Sequence, residues 1–148
     1  MLFEVHQKMI RFFIAINTRG QTRLSKFYVP QTEEQKLQVK KQVEEIVSRT
    51  DETGANITPY GTGKLLFRRY QQLYFCVCID ETDNELAYFE AVHLYVTVLN
   101  AYFNPVSEQD IMFNFHKCYI ILDEVFLAGE VMETSRPVIM QQIARMDS

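Results

Sequence analysis

The side chains with the most obvious chemical capacity in this chain are its three cysteines and three histidines. Cys76 and Cys78 are two apart on a predicted strand and share one face, but a zinc site needs four ligands. His116 and Cys118 are two apart on a predicted helix and point in different directions. We therefore predict no metal site and interpret the cysteines as reduced, small core side chains.

The other candidates for chemistry are a glycine-rich run and an isolated histidine. The run GTGK at residues 61–64 superficially resembles a phosphate-binding loop, but the positions that need Gly and Ser or Thr hold Thr58 and Leu65. His93 falls within the apolar stripe of a predicted helix, which is typical of a core histidine rather than a base. No serine, cysteine or lysine has an evident base beside it. We predict no catalytic residue, no cofactor and no enzymatic activity.

Acidic side chains are grouped in two places. One group lies around a predicted helix start, where capping and the helix dipole favour carboxylates; its members are Asp80, Glu81, Asp83 and Glu85. The other is Asp123 with Glu124 near a helix end, where we expect a pairing with a basic neighbour.

A recognition surface is the remaining possibility. Arg23 follows the first predicted turn, Arg68 and Arg69 end a strand, and Tyr70 and Leu73 flank a tight turn. In a sheet built from hairpins these positions can converge at one end. Positively charged side chains beside exposed apolar side chains form a suitable binding surface for a short peptide in which an acidic residue precedes apolar anchor residues. The alternative is that the arginines are ordinary solvated edge residues.

The overall composition fits one globular domain. Hydrophobic residues make up 47% and charged residues 23% of the 148 positions. The net charge of −4 argues against nucleic-acid binding, which needs a basic surface. No apolar stretch approaches the ~20 residues that span a bilayer, and residues 12–16 are too short for a secretory signal. We expect a cytosolic protein.

Hydrophobic periodicity predicts the first half of the fold. Residues 10–16 and 22–28 read as a hairpin around a turn at residues 17–20. The run TEEQ at residues 32–35 is a capping box that opens a helix. Residues 50–63 predict a loop around a short strand.

The second half begins with another hairpin, formed by residues 65–69 and 73–79. Thr82 with Glu85 predicts a capping box for a long helix, whose predicted buried stripe is Leu86, Phe89, Val92, His93, Val96, Leu99 and Phe103. Pro105 breaks that helix. Ser107 caps a further helix, whose apolar stripe is Ile111, Phe115, Tyr119, Leu122 and Phe126.

Gly129 is predicted to stop this helix, and Ser135 with Pro137 to start a last one. The predicted order is β-β-α-β-β-β-α-α-α. Its consecutive hairpins predict an α+β fold with a mainly antiparallel sheet. Residues 10–16 place apolar side chains on both faces of their strand, which predicts helices on both faces of the sheet.

Four blocks of sequence, taken together, carry a resemblance to a known family. They are GQTRLSK at residues 20–26, RRYQQLYFCVCID at 68–80, NEL at 84–86, and FNFHKCYIILDE at 113–124. In this order the chain resembles the small (sigma) subunits of clathrin adaptor complexes. The resemblance implies a longin-like fold with a five-stranded sheet, in a single domain over residues 9–148. Residues 1–8 precede the usual start of the family and form an extension of unclear status.

The resemblance also implies a binding site for acidic dileucine signals in cargo tails. The acid of the signal would lie near Arg23, with a second arginine supplied by a neighbouring large subunit. The paired leucines would enter apolar pockets lined by Leu73, Val96, Val106 and Ile111.

Tyr70 would flank the same pockets. Two positions at the edge of these pockets depart from the family pattern. Gln71 replaces a small residue and adds bulk. Pro105 replaces a polar residue and removes a backbone donor. These changes leave signal binding as one expectation and closure of the pocket as the other.

The resemblance implies four-chain assembly with a large subunit, a medium subunit and a second large subunit. Membrane attachment would be indirect, through the other chains, at coated pits and vesicles. The blocks YFCVC at residues 74–78 and FLAGE at 126–130 most resemble the plasma-membrane type, with Golgi and endosomal types as near relatives. The alternatives are a purely structural subunit that binds no cargo and a longin domain of another trafficking protein.

Overall fold

A computed structural model describes residues 10–50 and 54–126. The strands are β1 (Phe12–Asn17), β2 (Thr22–Phe27), β3 (Ala55–Tyr60), β4 (Gly63–Tyr70) and β5 (Leu73–Asp80). The helices are α1 (Glu33–Ser48), α2 (Glu85–Phe103), α3 (Glu108–Phe113) and α4 (Phe115–Phe126). The strands form one antiparallel sheet in the order β2-β1-β5-β4-β3. The predicted α+β class is confirmed.

The sheet is covered on both faces, as the apolar pattern of β1 predicts. Phe13, Phe75 and Val77 pack into a core cluster with side chains of α2 and α4. Ile14 and Cys76 point the other way and pack with side chains of α1. All six residues of β1 are buried, because this strand lies in the sheet interior between β2 and β5.

The first predicted capping box is confirmed and the second is wrong. Thr32 Oγ1 accepts a hydrogen bond from the Gln35 backbone N–H at 3.1 Å, and Gln35 Oε1 accepts from the Thr32 N–H at 2.9 Å. At the start of α2 the cap is Asn84 rather than Thr82. A turn, in which the Asp83 N–H donates to the Asp80 carbonyl at 3.1 Å, delays the helix by two residues.

The buried stripe of α2 is partly shifted from the prediction. Leu86 is 66% exposed. His93 is exposed as well, so its interpretation as a core histidine is wrong. Tyr88 and Tyr95 are buried instead, and the Tyr95 hydroxyl donates to the Cys118 carbonyl at 2.9 Å. A tyrosine can take a core position when its hydroxyl has such a partner, which residue type alone does not reveal.

The helix predicted to start after Ser107 is divided at Asn114. Ser107 and Asp110 form a capping box for α3. Asn114 then leaves helical geometry, at φ −125° and ψ 39°, while its carbonyl accepts the first bond of α4 from Cys118 at 3.1 Å. Asparagine side chains compete with helical backbone bonds, so a break there is physically reasonable. The prediction of one continuous helix is wrong.

Several predicted features lie outside the described residues. They are the extension at residues 1–8, the helix stop at Gly129, and the last helix from Ser135 and Pro137. The fourth helix of the observed order, α4, therefore arises from the division at Asn114, not from the predicted terminal helix.

Candidate functional site

Hairpin pairing brings most of the predicted site to one end of the sheet. Asn17 at the end of β1 pairs with Leu73 at the start of β5. Leu73 also pairs with Tyr70, the last residue of β4, and Ile16 pairs with Thr22 at the start of β2. Arg23, Tyr70 and Leu73 therefore lie at the same end, where α3 contacts β2.

A β-bulge directs Arg23 toward α3. Ala15 pairs with Leu24 and Ile16 with Thr22, so Arg23 has no partner in the register. Thr22 binds Glu44 of α1 on one side of the sheet, whereas Leu24 packs into the core on the other. Residues two apart in a regular strand share a face, so the bulge has changed the direction of the strand's side chains.

The guanidinium of Arg23 is held by two acceptors. Its Nε donates to Glu108 Oε2 at 2.7 Å, and its Nη2 donates to Gln21 Oε1 at 2.7 Å. The side chain is 22% exposed, so part of it remains open to solvent. A charge-assisted pair of this length is among the stronger hydrogen bonds in proteins.

Both acceptors are tied to a buried amide, Asn17, which is 2% exposed. Its Nδ2 donates to Glu108 Oε2 at 2.9 Å and to Gln21 Oε1 at 3.0 Å. Its Oδ1 accepts from the backbone N–H of Arg19 at 3.0 Å and of Gln21 at 2.9 Å. The turn itself uses Gly20 at φ 84°, a conformation in which glycine carries no steric cost.

The electrostatics of this cluster favour an ionised Glu108. The hydrogen bond from Asn17 lowers its pKa below the usual 4.5, and the bond and charge of Arg23 and the charge of Arg19 add to this shift, although desolvation opposes it. Neither Glu108 nor Asn17 was among the residues predicted for this site. The available signals were the Ser107 capping box, which predicts an acid in the first turn, and the predicted turn at residues 17–20.

The four predicted pocket residues are all in the core. Leu73, Val96 and Ile111 are buried, and Val106 is 9% exposed. All four belong to the core cluster under α2 and α4. The Val106 N–H donates to Asn100 Oδ1 at 3.1 Å, which fixes the chain after α2. These residues are thus brought together, but a leucine side chain can reach them only if the surface above them opens.

The predicted rim residues are at the surface. Tyr70 is half-buried against Phe75, with ring centroids 5.8 Å apart, and its hydroxyl lies 3.4 Å from His93 Nδ1. Gln71 is exposed in the turn at φ 57°. Pro105 is exposed and follows a cis peptide bond.

Arg68 and Arg69 do not join Arg23 in one patch. Strands β2 and β4 are separated by β1 and β5, which corresponds to three strand spacings or about 14 Å. The guanidinium of Arg68 lies 5.3 Å from the Tyr70 ring centroid, and Arg69 Nε donates to the Gln71 carbonyl at 2.7 Å. Arg23 instead contacts α3 through Glu108, with Arg19 beside it.

The remaining candidates for chemistry have structural partners. Lys64 of the glycine-rich turn binds Glu85 at 2.9 Å. The expectation of a basic neighbour for Asp123 is confirmed, because Lys26 lies 2.7 Å from its carboxylate. Within residues 10–50 and 54–126, no cluster of His, Cys, Asp and Glu is suited to a metal.

Burial controls the three thiols. It raises the pKa of Cys76 far above its usual value and is the main cause that raises the pKa of Cys78 to about 11 and of Cys118 to about 12. All three therefore remain protonated near neutral pH, and all three are free. Such thiols are unreactive core side chains, because the thiolate is the nucleophile and the metal ligand.

An open groove of about 680 Å³ borders Arg23 on the side of the β2 edge. Its wall includes Lys40 and Glu44 from α1 and Met112 and Phe115 from the α3–α4 region. This groove is separate from the part of the core that contains the four buried pocket residues.

No helix within the described ranges is long and apolar enough to cross a membrane.

Comparison with known proteins identifies the family. The sequence model of the family described as "Clathrin adaptor complex small chain" matches residues 9–148. The chain is 46% identical to "AP-2 complex subunit sigma" of Dictyostelium discoideum, covering 95% of this chain and 99% of that protein. It is 45% identical to the protein of the same name from Gibberella zeae, covering 94% and 98%. It is 39% identical to "AP-1 complex subunit sigma-1" of Arabidopsis thaliana, covering 94% and 86%.

The fold is similar to that of a chain in a structure described as "Homology model of the full-length AP-3 complex in a stretched open conformation". The match has a TM-score of 0.76 and 25% sequence identity and covers 94% of each chain. The longin-like fold and the sequence relationships agree, and the chain belongs to the clathrin adaptor complex small chain family.

Proposed function

We propose that this small adaptor subunit works in the plasma-membrane clathrin adaptor complex, where it stabilises the core and binds acidic dileucine signals of cargo. Five AP-2 sigma subunits at 44–46% identity and a sixth at 39%, against two AP-1 sigma subunits at 39% and 37%, support the endocytic type. Its partners would be one large subunit in obligate contact, a medium subunit and a second large subunit. It would reach coated pits from the cytoplasm through those chains and carry no enzymatic activity.

We extend the proposal to domain organisation. The family match over residues 9–148 supports a single domain there, with residues 1–8 as an extension before it.

The observation that carries the cargo proposal is the state of Arg23. Its guanidinium already binds a carboxylate, Glu108, at 2.7 Å, and it lies partly buried at the sheet end next to α3. Arginine can bind more than one acceptor because its five donors form separate edges. The acid of a signal peptide would bind the edge that remains open.

The leucines of the signal would enter the core cluster beside Leu73, Val96, Val106 and Ile111. Burying each leucine contributes at best roughly 2–3 kcal/mol, less the cost of ordering the peptide. This arithmetic gives micromolar rather than nanomolar binding. The connection around Val106 and Pro105 is the part of the surface that would move to admit them.

The departures from the family pattern are compatible with binding. Gln71 is exposed in its turn, and Pro105 is exposed after α2. Both would lie at the rim, together with Tyr70. The position of Gln71 favours an accessible pocket edge over closure by its side chain.

A purely structural subunit remains a second candidate, favoured by one observation. The four pocket residues are packed as ordinary core in the chain by itself. In that case the assembled complex would bind no dileucine peptide.

The test is a titration of an acidic dileucine peptide into the assembled adaptor core by calorimetry. Arg23→Ala should weaken binding about 10- to 100-fold, the worth of a hydrogen bond to a charged group. The matched control is Arg11→Ala, which removes another partly exposed arginine paired with a carboxylate, Asp80, at the opposite end of the sheet. Its affinity should equal that of the unmodified core.

The outcomes separate the candidates. Equal affinity with and without Arg23→Ala would remove Arg23 from the site. No binding to the unmodified core would favour the structural subunit. If binding then appeared with Gln71→Ala, the glutamine rather than the core packing would be the cause of closure.

A further inference from the structure

We infer that Glu108 is a positioning residue for Arg23, which sets the direction of the guanidinium toward the acid of a sorting signal. The inference rests on the proposed function of Arg23. Its basis is the pair of bonds that Arg23 makes, the buried amide behind them, and the location of Glu108 at the start of α3.

The geometry of the Arg23 guanidinium shows which of its N–H donors are already bonded and which are available to a ligand. Nε and Nη2 share the lateral edge of the group, and both donate from it, to Glu108 and Gln21 respectively. The hydrogen bonds among the described residues leave Nη1 uncommitted. Nη1 and the outer N–H of Nη2 form a second edge, which can bind a carboxylate with two parallel bonds.

Glu108 is itself held in place. Its Oε2 accepts from Asn17 Nδ2 at 2.9 Å, and Asn17 is fixed by two backbone N–H groups of the β1–β2 turn. Its backbone follows Ser107, whose capping box fixes the start of α3. The guanidinium is thus oriented through groups that have little freedom of their own.

Orientation before binding has a consequence for affinity. An arginine side chain loses rotamer freedom when it binds, and that loss opposes binding. If Glu108 has already removed this freedom, the peptide acid meets an ordered edge. Removing Glu108 should therefore weaken binding of the acid, although it also removes a nearby negative charge.

A competing role for Glu108 would change the affinity for the acidic peptide in the opposite direction. If Glu108 competed with the peptide acid for Arg23, its removal would free the guanidinium and tighten binding. The direction of the change therefore decides between positioning and competition.

The experiment uses the assembled core and two dileucine peptides, one with the acid and one with glutamine in its place. Glu108→Ala should weaken binding of the acidic peptide about five- to tenfold, because part of the strength of the oriented, charged hydrogen bond between Arg23 and the peptide acid is lost. The glutamine peptide should bind unchanged. Glu108→Gln should bind the acidic peptide with an affinity within about twofold of that of the unmodified core, since the amide oxygen still accepts from Arg23 Nε.

The matched control is Glu33→Ala. Glu33 is the first residue of α1 after its own capping-box residue, as Glu108 is in α3, but its charged partner is Lys36 at 3.4 Å. Both peptides should bind this variant as they bind the unmodified core. Tighter binding of the acidic peptide to Glu108→Ala would overturn the inference, and so would equal weakening of both peptides.

A second readout separates this inference from the proposed function. In the full chain labelled with ¹⁵N-arginine, solvent exchange of the Arg23 Nε–H should be slow, and Glu108→Ala should accelerate it about tenfold or more, as expected for a lost hydrogen bond. If the exchange changes but the unmodified core does not distinguish the two peptides, the cargo proposal fails, and Glu108 orients the guanidinium without serving the acid of a signal. If the core distinguishes them but the exchange is unaffected, positioning fails and the cargo proposal holds.

Discussion

At the scale of single residues, the site depends on side chains with unusual surroundings. Asn17 is the one buried polar residue among the described positions, and it organises the acceptors of Arg23. A buried amide with all of these partners is stable, whereas one left without them costs free energy. Gln71 is a second special case, because it occupies the left-handed region at φ 57° without being glycine or asparagine.

The conformation of Gln71 gives a prediction about stability. Gln71→Gly should raise the free energy of unfolding by about 0.5–1 kcal/mol, because glycine adopts the left-handed region without the Cβ penalty. Urea denaturation of the full chain or of its complex measures this. The control is Gln72→Gly, at an exposed neighbour outside that region, which should lower stability. Destabilisation by both changes would contradict the assignment of strain to Gln71.

At the scale of elements, the ends of helices and the β2 bulge position the site. The bulge directs Arg23 toward α3, and the capping box of Ser107 and Asp110 fixes where Glu108 begins that helix. The division at Asn114 separates α3 from α4, so α3 is free to lie against β2. The bulge, the capping box and the helix division are each local features. Together they create a contact between residues that are far apart in the chain.

The start of α2 gives a prediction that separates two candidate caps. Asn84 Oδ1 accepts from the backbone N–H groups of Leu86 at 3.0 Å and Ala87 at 3.4 Å. Asn84→Ala should therefore lower the free energy of unfolding by about 1 kcal/mol. Thr82→Ala should change it by less than about 0.5 kcal/mol, as is usual for exposed positions. A larger loss with Thr82→Ala, measured by the same denaturation, would restore the cap expected from sequence.

At the scale of the whole molecule, the exposed apolar surface is concentrated near α3 and α4. Of the seven exposed large hydrophobic residues in the described ranges, four lie there: Met112, Phe113, Phe115 and Ile120. A cluster of this kind is typical of a surface that another protein covers. This is consistent with an obligate large-subunit partner in the proposed complex.

The exposed cluster gives a prediction about assembly. Phe113 is 78% exposed, so Phe113→Ser should change the stability of the chain by less than about 0.5 kcal/mol. It should nevertheless reduce recovery of the chain with the large subunit by about fivefold or more, since an aromatic residue at an interface centre contributes over 1 kcal/mol. Co-purification of tagged chains measures this. Leu86→Ser, at the far end of α2, is the control and should assemble normally. Normal assembly of Phe113→Ser would place the interface elsewhere.

Local patterns were sufficient for much of the architecture. The alternation of apolar residues predicted the two hairpins, the capping box at Thr32 predicted α1, and the apolar character of both faces of β1 predicted helices on both sides. These features depend on neighbours within a few residues, so the order of side chains along the chain determines them. The sequence blocks also sufficed to indicate the family.

What the tertiary structure decided is the environment of the site. Only the fold places Glu108 beside Arg23, 85 positions away in the chain, and buries Asn17 against Glu108 and Gln21. Only the fold exposes His93 and buries Tyr95, whose hydroxyl finds a carbonyl on another helix. A periodic pattern marks which faces are apolar, but it does not reveal which distant polar group will satisfy a buried donor or charge. That choice is made when the elements pack together.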